Sequence, residues 1–86
     1  MKYIKGRVYK DTVSNGTPKA FYVSIDDGRH GTERNDHMWI PRSKIEVSEP
    51  NEVGWCDILV PLWLFTNNRI DYHRVCEITF DGIVIK

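Results

Sequence analysis

Turn-forming residues divide this chain finely, and that punctuation constrains its fold more than any other feature. Asn15-Gly16 and Pro18 mark a first turn, and Asp26-Asp27-Gly28 through Asn35-Asp36 form a polar loop with two glycines. Pro41, then Ser48-Glu49-Pro50-Asn51, then Asp81-Gly82 complete the series. Short segments with turn signals at this spacing indicate a small β-sandwich or barrel. At 86 residues the chain is read as one domain, residues 1–86. A chain this short buries only roughly 60% of its unfolded surface, so every large side chain counts towards the core.

The segments between the breakers fit strands. Tyr3 to Val13 alternates, with Ile4 and Val8 on one side and Tyr3, Lys5, Arg7 and Tyr9 on the other. Gly6 interrupts the apolar side and predicts a bulge or strong bend. Ala20 to Ile25 puts Phe21, Val23 and Ile25 on one face and Tyr22 and Ser24 on the other. His37 to Ile40 is a third strand, continued past a bend by Lys44 to Val47, and Val53 to Val60 a fourth. Val75 to Phe80, Asp81-Gly82 and Ile83 to Ile85 read as a terminal hairpin, because Asp-Gly suits a two-residue type I′ turn.

One segment departs from the β pattern. Pro61 suits the first position of a helix, Leu62 and Phe65 are three apart, and Asn67 and Asn68 offer a left-handed stop. This predicts a short helix near residues 61–69, with an apolar strand continuing Val53 to Val60 as the alternative. The expected fold is mainly β, a small barrel or sandwich of five to six strands with one short helix. Its expected core is Ile4, Val8, Phe21, Val23, Ile25, Trp39, Ile45, Cys56, Ile58, Val60, Leu64, Val75, Ile78 and Ile83.

Little in the sequence resembles catalytic or metal chemistry. His30, His37, His73, Cys56 and Cys76 are the metal-binding candidates. His73 and Cys76 have no second pair at matching spacing, whereas structural zinc takes four closed ligands. Ser14, Ser24, Ser43 and Ser48 lie in no nucleophile elbow. A reactive cysteine needs an open electropositive site, and both cysteines sit in apolar runs. They read as two reduced core thiols, with one cross-strand disulfide as the alternative. Gly28 and Gly31 are too sparse for a phosphate loop. No enzyme, cofactor or metal is expected. The N-terminal residues contain no apolar leader core, and the longest apolar run, Ile58 to Phe65, is too short to span a bilayer. A soluble, cytoplasmic protein with no membrane association is expected.

Binding remains. Lys+Arg and Asp+Glu number 12 each, so the net charge is zero, which argues against a polyanion binder built on overall charge. The charge is nonetheless polarised along the chain. Residues 1–20 carry Lys2, Lys5, Arg7, Lys10 and Lys19 against Asp11 alone. Tyr3, Lys5, Arg7 and Tyr9, with Lys10 beside them, interleave aromatics with cations as a single-stranded nucleic-acid platform does. The same alternation also serves as the wet face of a small barrel. Residues 46–57 carry Glu46, Glu49, Glu52 and Asp57 and no basic residue. Such polarity steers and orients a protein partner. Trp39, Trp55 and Trp63 are more tryptophan than so small a core readily hides, and Trp is enriched at the centres of interfaces. A tryptophan exposed beside Tyr22 or Phe65 would mark a docking patch. The expected protein-binding residues are therefore Tyr22, Trp55, Trp63, Phe65, Glu46, Glu49 and Glu52, with Tyr3, Lys5, Arg7, Tyr9 and Lys10 as the nucleic-acid alternative. An exposed edge at Ile83 to Ile85 would allow a homodimer.

Lys19 to Gly28, Met38-Trp39-Ile40-Pro41-Arg42-Ser43-Lys44-Ile45-Glu46-Val47 and Ile58-Leu59-Val60-Pro61-Leu62-Trp63-Leu64 resemble small single-domain proteins encoded by bacteriophages and prophages. These carry a Trp-Ile/Leu-Pro-x-Ser motif and a Pro-x-Trp-Leu segment opening a short helix. Phe65 to Ile70 departs from their pattern, and the strands past Tyr72 look like an extension. The resemblance covers about half the chain. It implies a cytoplasmic accessory protein that docks on a host or phage protein, with steric inhibition of host defence as one outcome. A weaker likeness is to SH3-type barrels, in which a Trp/Ile-Pro step precedes a 3₁₀ turn. Trp39 and Ile45 would then both point inward, and Ser43 would bond to the turn backbone. The acidic-aromatic motif of peptide-binding SH3 domains is missing, so proline-rich peptide recognition is not implied.

Overall fold

A computed structural model describes residues 1–26 and 36–85. The expected loop between Asp27 and Asn35, and with it His30, lies outside the described residues. The fold is mainly β. Its six strands are β1 (Tyr3–Tyr9), β2 (Ala20–Ile25), β3 (Asp36–Pro41), β4 (Glu46–Val47), β5 (Trp55–Pro61) and β6 (Ile78–Ile85). Two short helices, α1 (Lys10–Val13) and α2 (Leu62–Asn67), accompany 3₁₀ turns at Arg42–Lys44 and Tyr72–Arg74. The strands form two antiparallel sheets, one of order β4-β5-β1-β6 and one of β2-β3. Among the described residues no ladder closes the two sheets into a barrel.

β1 is the centre of the larger sheet. It pairs with β5 over seven unbroken rungs, from Tyr3↔Pro61 to Tyr9↔Trp55. Period-2 alternation sends Ile4, Gly6 and Val8 inward to meet Cys56, Ile58 and Val60. From the second sheet come Phe21, Val23, Met38 and Ile40, and from the end of the molecule Leu64, Phe65, Val75 and Ile78. β1 stops at Tyr9 and does not run to Val13, because one turn of helix follows, closed by Ser14 donating N–H and Oγ–H to the carbonyl of Lys10.

The terminal hairpin expected at Asp81-Gly82 does not form. β6 is one strand that pairs with β1 on either side of a bulge, and the register shifts between Ile4↔Val84 and Gly6↔Phe80. Asp81, Gly82 and Ile83 bulge out opposite Lys5. Gly82 has φ +75°, as a type I′ turn would also require, so the dipeptide preference is met in a different setting. Ile83 consequently lies 54% exposed and outside the core.

Trp39 is likewise outside the core. Met38 and Ile40 take the two inward positions of β3, which turns Trp39 outward, 53% exposed. Ile45 and Ile25 pack against the rim of the core. The expected 3₁₀ turn follows Pro41, but it is Arg42 that ties it down. The guanidinium donates to the carbonyls of Val13, Thr17 (2.9 Å) and Asn15 (3.2 Å) and sits 5.4 Å over the Phe21 ring.

The helix after β5 forms as expected, with Pro61 as its cap and not its first residue. Its stop falls one residue beyond the asparagines. Arg69 takes φ +56°, its N–H donates to Thr66, and the N–H of Ile70 donates to Phe65. Those two bonds make a Schellman motif. Asn68 adds a bond from Nδ2 to the carbonyl of Leu64 (2.6 Å).

Candidate docking surface

The backbone bonds around β2 show which way β3 presents itself. Ala20 pairs with Pro41, and the N–H of Arg42 donates to the carbonyl of Lys19 at 2.9 Å. That bond makes Ala20↔Pro41 a non-hydrogen-bonded rung. By alternation Tyr22↔Trp39 and Ser24↔His37 are the same kind, in which side chains stand closest. The outward bonds of β2 agree: Ala20, Ser24 and Asp26 bond away from β3. His37 and Trp39 therefore point both N–H and C=O away from β2, and Pro41 can offer only its C=O.

The outer face of this two-stranded sheet consists of Ala20, Tyr22, Ser24, His37, Trp39 and Pro41, with no Lys, Arg, Asp or Glu among them. Tyr22 stands edge-on to both neighbours, with ring centroids 5.5 Å from Trp39 and 5.4 Å from His37. The three rings line one open groove of about 330 Å³. Edge-to-face contact is a geometry that aromatic pairs prefer, so each ring of the face supports its neighbour. Pairing with β2 sets the parity of β3: with Met38 and Ile40 inward, His37 and Trp39 face out.

A second aromatic pair lies on the outer face of the larger sheet. Tyr9 and Trp55 are cross-strand partners with centroids 5.4 Å apart, and Trp55 is 43% exposed. Asn51 Oδ1 accepts from the N–H groups of Val53 and Trp55 and so shapes the β4–β5 loop. Gly54, at φ +96°, lets the Tyr9 ring lie against it, since a Cβ there would fall 2.9 Å from that ring.

Comparison of the chain with protein-family models, curated proteins and solved structures finds no match.

Of the residues expected to bind protein, Tyr22 is half-buried on the aromatic face and Trp55 is exposed on the other sheet. Glu46, Glu49 and Glu52 are exposed on β4 and the loop that follows it. Trp63 is half-buried against the core. Phe65 is 1% exposed and cannot touch a partner: α2 turns it inward onto Tyr72 and Phe80, at 6.1 and 5.3 Å. The tryptophan beside Tyr22 is Trp39, which inward packing had been expected to hide.

Tyr3, Lys5, Arg7 and Tyr9 do share one outer face, and Lys10 is exposed at its end, its backbone N–H donating to Gly54 (2.9 Å). Acids are interleaved with them. Arg7 opposes Asp57, and Lys5 lines a groove of about 420 Å³ with Glu46 and Asp57. Among the described residues no three His, Cys, Asp or Glu side chains converge on a point. Cys56 and Cys76 are both free. Cys56 is buried, and its thiol is pushed up by burial, then by Glu49 and Asp57. Cys76 is exposed, and its thiol is pushed up by desolvation, then by Glu77 and Asp26. Neither environment activates a nucleophile. No helix among the described residues is long and apolar enough to cross a membrane.

Proposed function

We propose that this protein is a non-enzymatic binding module, a phage-type accessory protein that docks on a host or phage protein in the cytoplasm through the Tyr22–Trp39 face. Its effect is steric: a rigid surface occupies the partner's site, as an inhibitor of host defence would. The carrying observation is that Trp39 is 53% exposed and braced by Tyr22 at 5.5 Å. A large ring left in water on a rigid sheet is an anchor that loses little conformational freedom on binding, which is why Trp and Tyr concentrate at the centres of interfaces. The acidic loop Glu46, Glu49 and Glu52 supplies orientation and not affinity. The phage-protein resemblance supports the same reading. The Pro41 corner and the 3₁₀ turn after it carry the SH3-like part of the likeness.

The test is capture from a bacterial host lysate on immobilised wild-type protein, with Trp39→Ala and Trp55→Ala in parallel. The reading expects one stoichiometric protein retained by wild type and Trp55→Ala and lost from a folded Trp39→Ala. Capture of nothing, or equal capture by all three, overturns it.

A second reading rests on the shared face of Tyr3, Lys5, Arg7 and Tyr9, with Trp55 beside it, as a platform for single-stranded nucleic acid. Titration with oligonucleotides at two salt concentrations separates the two, because phosphate contacts impose a steep salt dependence. The interleaved Asp57 and Glu46 favour the protein partner.

A further inference from the structure

Each sheet ends in edges, where unpaired N–H and C=O groups can recruit another strand. Among the described residues three of these edges are blunted. β4 is only two residues long. β6 is broken by the bulge at 81–83, which carries Asp81 and the left-handed Gly82. β2 is covered towards both ends of its outward side, on either side of Tyr22. The carbonyl of Ser24 accepts from Cys76 at 2.9 Å, its N–H donates to Glu77 Oε2 at 2.5 Å, and the N–H of Asp26 donates to Arg74 at 2.9 Å. Thr17 donates its N–H to the carbonyl of Ala20 at 2.8 Å.

β3 has none of these devices. It makes six unbroken rungs with β2, and no other described element runs beside it. Its one charge, Asp36, and its one proline, Pro41, stand at its two ends, and no bulge lies between them. Its outward groups are the N–H and C=O of His37 and Trp39, followed by Pro41, which has no N–H to give.

We infer that a second copy of this chain completes the edge, two β3 strands pairing antiparallel about a two-fold axis at Met38. In that register His37 of one copy faces Trp39 of the other. The two symmetric rungs use every outward N–H and C=O of His37 and Trp39, and Pro41 falls outside them, where its missing N–H costs nothing. A register centred on Trp39 makes as many bonds, but it sets His37 against Pro41 and leaves the outward C=O of each His37 without a donor. Residues facing one another across an antiparallel pair share a face, so Met38 meets Met38 inside and His37 lies beside Trp39 outside. No like charges meet at these rungs, and a net charge of zero removes the long-range repulsion that keeps many small domains apart. Pairing also turns a two-stranded sheet, the least self-sufficient kind, into a four-stranded one. The axis is perpendicular to the sheet, so the two Tyr22–Trp39 faces become one continuous aromatic surface. Dimerisation does not depend on the docking reading and is measured without any partner.

The experiment is sedimentation equilibrium on the purified protein from about 1 μM to about 1 mM, with amide exchange followed at the same concentrations. The mass is expected to rise from 10.1 kDa towards twice that value. The amides of His37 and Trp39 are expected to slow with concentration, while those of Met38 and Ile40, which face β2, stay protected throughout. His37→Pro deletes one outward N–H per copy without touching the β2 ladder and should weaken the dimer roughly 30-fold. His37→Ala keeps that N–H and should stay within about threefold of wild type. If His37→Pro does not fold, the wild-type exchange data decide alone. A constant 10.1 kDa with fast exchange at His37 and Trp39 overturns the inference and leaves the edge to a strand of some other protein. A dimer unaffected by His37→Pro overturns it too, and moves attention to Ile83–Ile85.

Discussion

Phe80 lies over the backbone of Gly6, its partner across the β1–β6 ladder, so closely that a Cβ at Gly6 would fall 2.9 Å from Phe80 Cδ1. The same Cβ would meet the carbonyl oxygen of Thr79 at 2.8 Å and Ile78 Cγ2 at 3.1 Å. Phe80 in turn stands edge-on to Phe65 at 5.3 Å and Tyr72 at 5.4 Å. The missing side chain at position 6 is what lets this aromatic cluster settle onto β1.

Gly6→Ala should therefore destabilise the fold by about 2–3 kcal/mol, the upper part of the range for overpacking. The gain in strand propensity from removing a glycine is too small to offset it. Urea denaturation of the two proteins measures the difference. Adding Phe80→Leu to Gly6→Ala should recover only part of the loss, because the carbonyl of Thr79 is main chain and cannot rotate away.

Arg42 binds three alternate carbonyls of one backbone segment, Val13 to Thr17, and its role depends on the planar guanidinium. Nε donates to Thr17, one terminal nitrogen to Val13 and the other to Asn15. A lysine ammonium cannot hold that fan of carbonyls. Arg42→Lys is expected to cost about 2 kcal/mol, within the range for hydrogen bonds from a charged donor. The loss should appear locally as well as globally. Amides between Asn15 and Ala20 should exchange faster in the variant, while those of β5 change only with overall stability.

Much of this architecture could be read from alternation alone. The faces of β1, β2 and β5 follow from Ile4/Val8, Phe21/Val23 and Cys56/Ile58/Val60, because a one-residue slip would carry each set into water. Trp39 could not be placed that way. His37 to Ile40 is too short for alternation to fix its parity, and Met38, Trp39 and Ile40 are all apolar. Pairing with β2 decides it. Phe65 was ambiguous for a related reason: Leu62, Trp63, Leu64 and Phe65 are apolar on every side of a six-residue helix, so pattern does not say which of them face the core. Asp81-Gly82 illustrates a different limit. A tight turn and a bulge ask for the same positive φ, and the choice between them came from the length of β1 available for pairing. The proposed docking surface is half legible: Tyr22 follows from its strand face, but Trp39 and His37 need the register.

Asp71 links the short 3₁₀ turn to pH. Its carboxylate accepts from the N–H of His73 at 3.0 Å and from the His73 ring at 3.1 Å. Those bonds, the backbone one first, hold its carboxyl below the ordinary carboxylate range. In the unfolded chain it titrates near about 4. The folded state thus binds the proton less readily. The contribution to stability is fully present above the unfolded value and disappears as pH falls through the folded one. Stability measured from about pH 5 down to about pH 2 should decline more gently in Asp71→Asn than in wild type. The asparagine keeps an oxygen for the His73 N–H but has no proton to take up. Parallel curves would mean that this carboxylate contributes nothing to acid sensitivity.

Arg69 occupies a backbone conformation that its side chain disfavours. It ends α2 at φ +56°, in the left-handed position that a Schellman motif usually gives to glycine. The conformation is imposed from both sides, since the N–H of Arg69 bonds to Thr66 (3.1 Å) and that of Ile70 to Phe65 (2.9 Å). Ile70 is thereby folded back against the core beside the residue whose carbonyl it caps. A left-handed non-glycine residue costs about 1–2 kcal/mol, and glycine's extra freedom in the unfolded chain returns part of that. Arg69→Gly should therefore stabilise the protein by roughly 0.5–1 kcal/mol, a rise in Tm of about 3–6 °C for a domain of this size. Arg69→Ala relieves nothing, because the Cβ is what the conformation opposes, and its Tm should stay near that of wild type. Arg69→Val, with branching at the Cβ, should fall below both. The order Gly above Arg and Ala, with Val lowest, measured by thermal denaturation at one pH and salt concentration, is the signature of backbone strain. If all three variants fall together, the guanidinium itself matters and the strain account fails.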